Sequence, residues 1–419
     1  MTQLEMAERG RATYEIEEVA AAESVPVQLL LARIRDGVVV IPANKSHASL
    51  APVGIGLELR TKVNANIGTS PARCSLEGEL KKLQAALDAG ADTVMDLSIG
   101  GDIDAVRRAI IERCRVPLGT VPIYQAAIES GSPEDMTAEK FLEVFERHAR
   151  DGVDFATVHA GVTRDAIPLL KKRLMGVVSR GGAFLVKWMA VHKEESFLHK
   201  RFDDVLSIAR KHDVTMSLGD GLRPGCIEDA TDEAQLHELK VLGKLARRCR
   251  KAGVQVMIEG PGHIPLHEIV RNVELEKRYC DHAPFYVLGP LPTDVAPGYD
   301  HIVGAVGGAL AASAGADFLC YVTPKEHVGL PAEEDVRAGV MVTRIAGHIG
   351  DIAKGLRGAK DMDKRMSLAR TERDWAAMKE FAMDPVLFEA LLAGEEKGDQ
   401  CSMCGQYCAL KVFRDAMGR

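Results

Sequence analysis

The chain has 419 residues, 46% of them apolar, with 53 Lys and Arg against 60 Asp and Glu for a formal charge of −7. That length suits one barrel-sized domain with attachments or two ordinary domains, and the apolar fraction is that of a globular core. The acidic balance argues against a general nucleic-acid surface, and no stretch approaches the ~20 apolar residues that span a membrane. Residues 304–322 come nearest, but their Gly and Ala content and Asp317 suit a buried helix running into a strand. The opening Met1-Thr-Gln-Leu-Glu5 has no basic region followed by an apolar run, so no secretory leader is expected.

In chain order, residues 21–36 read as a helix and 37–42 as a turn residue followed by a short strand. Residues 1–58 are therefore expected to form a small α/β region, a lid or a support for a dimer. From 59 to 351, short apolar runs alternate with helical periodicity. The runs are 61–66, 93–97, 118–122, 155–159, 176–179, 214–218, 254–259, 285–288 and 318–321. Residues 79–90, 103–114, 138–151, 202–212, 233–252 and 267–279 read as helices between them. Such alternation means βα units and a mostly parallel sheet.

Nine runs are one too many for an eight-stranded barrel, so one is an extra strand or an extended loop. A doubly wound sheet would carry a glycine fingerprint after its first strand, and Asn64-Ala-Asn66-Ile-Gly68-Thr69 does not match it. Polar residues instead recur where the runs end: Asn66, Asp96, Ser98, Tyr124, His159, Ser179-Arg180-Gly181, Asp220-Gly-Leu-Arg223, Glu259 and Tyr286. In a (βα)8 TIM-like barrel those ends converge on one mouth, and that is the expected fold. Residues 352–419 read as a charged helical arm, through 360–379 and 385–394, that leads to a cysteine tail.

Glu259-Gly-Pro-Gly-His263 follows an apolar strand, so an acid and a metal ligand stand at its end; a surface turn with a capping histidine is the plainer reading. His327, in Tyr321-Val-Thr-Pro-Lys-Glu-His327, could meet His263 across the mouth. Two imidazoles suit Zn or Fe(II) with positions left open. Arg223 could fork onto a phosphate or carboxylate while Asp220 takes a hydroxyl or amine, or the two could merely close a turn. Ser179-Arg180-Gly181-Gly182 suits a phosphate cradle where a helix begins. His159 could relay a proton or sit structurally in the core. Asn66, Met95 and Tyr124 add an amide, a soft apolar contact and a phenol.

Nine cysteines are an odd number, and six are scattered with no disulfide framework, which points to a reducing cytoplasm. The other three cluster in Cys401-Ser-Met-Cys404-Gly-Gln-Tyr-Cys408. Zinc and rubredoxin-type iron normally take four protein ligands, whereas three thiolates on a [4Fe–4S] cluster leave one iron free for a small molecule. A reductase or a radical S-adenosylmethionine enzyme needs that open iron. A labile thiol tail or a zinc knuckle short of a partner is the alternative.

Taken together, Lys62-Val-Asn-Ala-Asn-Ile-Gly68, Met95-Asp-Leu-Ser98, Gly119-Thr-Val-Pro-Ile-Tyr124, Val178-Ser-Arg-Gly-Gly182, Leu218-Gly-Asp-Gly-Leu-Arg-Pro-Gly225, Glu259-Gly-Pro-Gly-His263, Ala296-Pro-Gly-Tyr-Asp300 and Cys320-Tyr-Val-Thr-Pro-Lys-Glu-His327 resemble the phosphomethylpyrimidine synthase family. This non-standard branch of the radical S-adenosylmethionine enzymes includes 5-hydroxybenzimidazole synthase. The resemblance runs from Met1 to the cysteine tail. It implies a (βα)8 barrel, a homodimer, a low-potential electron donor and 5-aminoimidazole ribonucleotide as substrate. Asn66, Met95, Tyr124, His159, Ser179, Arg180, Gly181, Asp220, Gly221, Leu222, Arg223, Glu259 and Tyr286 would contact that substrate. Glu259 and His159 are the expected proton-transfer groups. His263 and His327 would hold a second metal, commonly zinc, and Cys401, Cys404 and Cys408 would hold the cluster beside S-adenosylmethionine.

Three features depart from the family pattern. Three residues, not four, separate Cys404 from Cys408. Ser98-Ile99-Gly100 replaces Ser-Thr-Gly, and Gly347-His348-Ile349-Gly350-Asp351 replaces an alanine-based run. The last two favour 5-hydroxybenzimidazole, for cobalamin biosynthesis, as the expected product. The alternative is 4-amino-5-hydroxymethyl-2-methylpyrimidine phosphate, for thiamin.

Overall fold

The structure, a computed structural model, describes residues 1–393 and 403–418. The chain forms two compact units, Met1–Lys354 and Gly355–Arg419. In the first, two short strands, β1 (Val39–Val40) and β2 (Ile55–Gly56), pair antiparallel. Eight more follow: β3 (Lys62–Ile67), β4 (Thr93–Asp96), β5 (Leu118–Thr120), β6 (Phe155–Val158), β7 (Thr215–Leu218), β8 (Val256–Gly260), β9 (Phe285–Leu288) and β10 (Phe318–Cys320). They close into a parallel barrel when β10 pairs with both β9 and β3, Phe318 lying opposite Tyr286 and Lys62.

The barrel interior is filled by rings. Phe318 stacks on Tyr286 with centroids 4.2 Å apart and meets Phe155 edge-on at 6.4 Å. Gly119 on β5 leaves room for this packing, because a Cβ there would lie 2.2 Å from the Phe155 ring. The outer helices bury apolar stripes. Ala138–Asp151 does so with Phe141, Val144, Phe145 and Ala149, between a Thr137 N-cap and a left-handed Gly152 C-cap. The 21-residue helix Glu333–Ala353 packs on Asp300–Ala314 so closely that a Cβ at Gly350 would lie 2.3 Å from that of Ala312.

Several expected elements are corrected. Residues 176–179 form no strand; they lead into the helix Arg180–His192, so this is the surplus run, and it is a loop. The helix expected over 21–36 is two, Tyr14–Ala22 and Val27–Arg35, parted where Ser24 turns left-handed and Pro26 supplies no amide hydrogen. Residues 1–58 do not cover the mouth. The Gln3 amide donates to Asp213 Oδ2 over 2.8 Å and the Ile41 amide to Gln255 Oε1 over 2.8 Å, both at strand starts, so this region braces the barrel base.

In the second unit, residues 360–379 are split into Ala359–Glu372 and Trp375–Phe381. Arg373 ends the first by turning left-handed, and Asp374 caps the second. Pro385–Leu392, the 3-10 turn Gly405–Tyr407 and Ala409–Met417 complete the unit's described helices. Among the described residues no helix is long and apolar enough to cross a membrane.

Candidate active site

The barrel strands deliver their last polar side chains to one opening. Asn66 on β3, Met95 on β4, Glu259 on β8, Tyr286 on β9 and Cys320 on β10 line it. Tyr124, His159, Asp220 and Arg223 join them from the segments after β5, β6 and β7. This inner space of about 100 Å³ adjoins an outer cleft of about 520 Å³, and both are bordered by Asn66 and Leu97. Arg180 and His327 line the outer cleft.

Glu259 Oε1 accepts hydroxyl hydrogen bonds from Thr157 and Ser217, each at 2.6 Å. Burial pushes its carboxyl above the ordinary range, while those hydroxyls and the Arg223 charge hold it down. Arg223 Nη1 donates to Asp220 Oδ1 over 3.2 Å. Burial raises Asp220 to about 7 against the pull of Arg223, and the nearby Glu259 adds to the rise. His159 is driven down to about 3 by burial, with Arg223 adding to the effect, so its ring is neutral at ordinary pH. Its Nδ1 has no protein partner.

The cradle is built from close backbone approaches. Ser179 caps the helix Arg180–His192 by accepting from the Gly182 amide at 3.2 Å. A Cβ on Gly181 would lie 2.4 Å from the His159 ring, and one on Gly182 would lie 2.0 Å from the Gly221 carbonyl oxygen. Only hydrogen fits at either position, so the helix start and the Asp220–Arg223 turn sit against each other. The Arg180 guanidinium lies 4.6 Å from the Tyr124 ring centroid. Leu222 is buried under the turn and donates its amide to Glu238 Oε2 over 2.7 Å.

The His263 and His327 rings lie with centroids 5.3 Å apart. Each Nδ1 is held by its own carboxylate, Asp294 at 2.7 Å and Asp300 at 3.1 Å. The pair does not make up a zinc site. Among the described residues no group of three or more His, Cys, Asp or Glu is arranged to hold a metal ion, and two imidazoles fall short of a zinc donor set. Cys404 and Cys408 lie in the second unit, before and at the start of Ala409–Met417; Cys401 lies outside the described residues.

Other residues at the mouth lack a strand-end signal. Thr157 and Ser217 sit inside apolar strands. Thr157 stands two residues before His159, and that period of two, which places alternate residues on one face, is the trace that could have revealed it. Asn64 bears the same relation to Asn66, and its Nδ2 donates to Tyr286 Oη and Asn66 Oδ1, both at 2.8 Å. Arg173 ties Asp232 to the Leu222 and Arg223 carbonyls, and Glu238 braces the same turn; neither is marked by any local motif.

Residues 2–415 match a family model described as the Radical SAM ThiC family. The phosphomethylpyrimidine synthase of Desulforudis audaxviator is 55% identical, covering 100% of this chain and 99% of the relative. That of Moorella thermoacetica is 54% identical with the same coverage. The enzyme of the same name from Desulfotalea psychrophila is 53% identical over 98% of this chain and 96% of its own.

These full-length matches overturn the expected 5-hydroxybenzimidazole product and the link to cobalamin biosynthesis. Of the departures behind that expectation, Gly350 answers to helix packing, since a Cβ there would lie 2.3 Å from that of Ala312, and the other two lie off the inner mouth. Gly347 lies against Thr61, at the start of β3 and away from the mouth. Ile99 borders the outer cleft, but its change removes only a hydroxyl from that wall.

Proposed function

The chain belongs to the radical SAM ThiC family, and from that membership we propose that it converts 5-aminoimidazole ribonucleotide into 4-amino-5-hydroxymethyl-2-methylpyrimidine phosphate for thiamin biosynthesis. It is a radical S-adenosylmethionine enzyme of the ThiC type, and its cofactor system is a [4Fe–4S] cluster with S-adenosylmethionine. The product assignment rests on near-complete coverage of relatives that carry the pyrimidine synthase name.

The chemistry of the donor set fits the cluster. Thiolates are its usual ligands; Cys404 is exposed, and Cys408 stands at the start of the helix Ala409–Met417. Cys401, Cys404 and Cys408 would hold it. When bound, the cluster and S-adenosylmethionine supply one-electron cleavage of a carbon–sulfur bond and, through it, hydrogen abstraction from the substrate.

The barrel residues bind and orient. Arg223 and Arg180 offer cations to an anionic substrate, and the first-turn amides after Ser179 offer donors to its phosphate. Asp220 accepts from an amine or hydroxyl beside Arg223. Neutral His159 can donate to or accept from a substrate atom. Glu259, raised by burial, is suited to hold or take a proton during ring reconstruction. Asn66, Met95 and Tyr286 shape the inner wall against the ring stack beneath, which limits water around a reactive species.

A homodimer is proposed, supported by exposed Ile302, Val306, Ile345 and Ile349 on two neighbouring helices. A low-potential electron donor and a reducing cytoplasm complete the reading.

The test is anaerobic turnover of reconstituted protein with 5-aminoimidazole ribonucleotide, S-adenosylmethionine and reductant. The expected product is the phosphorylated pyrimidine, identified by mass and absorption. A fluorescent, phosphate-free hydroxybenzimidazole would overturn the reading.

A further inference from the structure

Behind the Asp220–Arg223 turn lies a second, smaller cavity of about 20 Å³, bordered by Asp220, Glu238, Glu259, Gln235, Asn272 and Arg223. It is large enough for one water molecule. Two carboxylate oxygens on residues that border it are buried and have no protein partner, Asp220 Oδ2 and Glu238 Oε1. Asp220 is 7% exposed and Glu238 2% exposed. Glu238 Oε1 lies against Gly221, the residue next to Asp220; a Cβ on that glycine would be 3.3 Å from it. The neighbouring amides are already committed. Gln235 Nε2 donates to Asn272 Oδ1, while Asn272 Nδ2 donates to Thr231 and to the Glu268 carbonyl. The Gly221 amide leans toward Glu238 and Arg223 bonds the other oxygen of Asp220, yet neither Asp220 Oδ2 nor Glu238 Oε1 has a donor in hydrogen-bond geometry, and two buried carboxylates facing one small cavity cannot both stay ionised and unpaired.

We infer that Glu238 is a positioning residue that holds one proton in common with Asp220, directly or through a water in the small cavity. Glu238 Oε2 accepts the Leu222 amide, and Oε1 carries the hydrogen toward Asp220 Oδ2. Asp220 then remains a carboxylate, paired through Oδ1 with Arg223, and its orientation toward the mouth is fixed from behind. The count closes with one proton for two carboxyl groups and one unpartnered oxygen on each.

The charged and titratable groups around the pair are Arg223 on the same turn, Glu259 on β8, Tyr124 across the mouth and Arg173 beneath the turn. Arg173 draws on Asp232 at 2.7 Å, which leaves Glu238 without a full counter-charge. Burial lifts Glu238 well above the carboxylate range, with Asp220 adding to the rise, and lifts Asp220 to about 7. Both directions agree with a retained proton.

This inference rests on the substrate site proposed above, so its test has one arm that needs no ligand. Infrared spectra of wild type minus Glu238→Gln, recorded on ligand-free protein near neutral pH, should show one protonated-carboxyl C=O band lost with the substitution. The second arm is equilibrium binding of 5-aminoimidazole ribonucleotide across rising pH. Wild type should lose affinity as the common proton leaves and a second negative charge appears beside Asp220. E238Q, which has no such proton, should lose that alkaline decline while keeping affinity near neutral pH within a few-fold.

An ionised, merely structural Glu238 would give an unchanged C=O region and the same alkaline decline in both proteins, and either result overturns the proposal. So would an E238Q chain that fails to fold, because glutamine reproduces the size, neutrality and donor–acceptor pattern of a protonated glutamic acid. The infrared arm decides on the common proton whether or not this ribonucleotide binds.

Discussion

Thr157 and Glu259 meet inside the barrel mouth, the threonine hydroxyl donating to Glu259 Oε1 over 2.6 Å. Ser217 makes the same bond from the neighbouring strand. Two hydroxyls from β6 and β7 thus stabilise the ionised form of an acid that burial drives toward neutrality.

Removing those donors should shift the balance. Thr157→Val, and more so Thr157→Val with Ser217→Ala, should raise the Glu259 pKa further above its ordinary value. If ionised Glu259 is needed, the acid limb of kcat/KM moves to higher pH, and neutral-pH activity falls. A hydrogen bond to a charged group contributes about 1.5–3 kcal/mol. A pH–rate profile checks this; an unmoved acid limb in the double variant would exclude Glu259 as the group that titrates.

His159 makes a prediction about stability. Burial holds its folded pKa at about 3, against 6.5 ordinarily, so the unfolded chain takes up this proton first as pH falls. The stability carried by a depressed imidazole is whole above about 6.5 and is lost on the way down to about 3. At about pH 5 the loss is about 2 kcal/mol. Chemical denaturation at about pH 7.5 and about pH 5 should therefore show a steeper fall for wild type than for His159→Gln. Parallel losses in the two chains would contradict this.

The same residues show what was legible in the sequence and what was not. His159, Asp220, Arg223 and Glu259 stand at strand ends beside glycine turns, so pattern alone placed them at the barrel mouth. Thr157 and Ser217 were hidden because a hydroxyl inside a β-branched or apolar strand also suits ordinary core packing. Glu238 lies on a helix 18 residues beyond Asp220, and only the fold brings it behind the turn. Strand positions came through well, since each is a short apolar run between helices. The false run at 176–179 has the same composition but ends at a capping serine, and the capping bond from Gly182 distinguishes it. The break at Pro26 was legible in principle, because proline supplies no amide to a helix interior.

The cysteine tail predicts metal content. Anaerobic reconstitution should load about four irons and four sulfides per chain. Cys404→Ala or Cys408→Ala should lower both sharply while leaving barrel helicity and the binding of the phosphorylated substrate nearly intact. Iron and sulfide analysis, with circular dichroism as the control, measures this. Full iron loading in both variants would remove these two thiols from the ligand set.

Product identity should be insensitive to the two departures that had favoured a benzimidazole. Gly347 faces Thr61 at the base of β3, close to where Asp351 accepts the Thr61 amide at 3.0 Å. A Cβ there would lie 3.5 Å from the threonine side chain, an ordinary contact, so Gly347→Ala should fold with less than about 1 kcal/mol of change. Ile99 borders the outer cleft with Asn66 and Arg180. Ile99→Thr adds a hydroxyl to that wall and removes apolar surface, which should alter KM by no more than a few-fold. Neither change touches Glu259, Asp220, Arg223 or His159, the groups that meet the ribonucleotide in the proposed reaction. Both variants should therefore release the same phosphorylated pyrimidine as the parent chain, read by mass spectrometry of anaerobic turnovers. A hydroxybenzimidazole from the parent chain would overturn the assignment to the pyrimidine product, and one from a single variant alone would place the branch point at that residue.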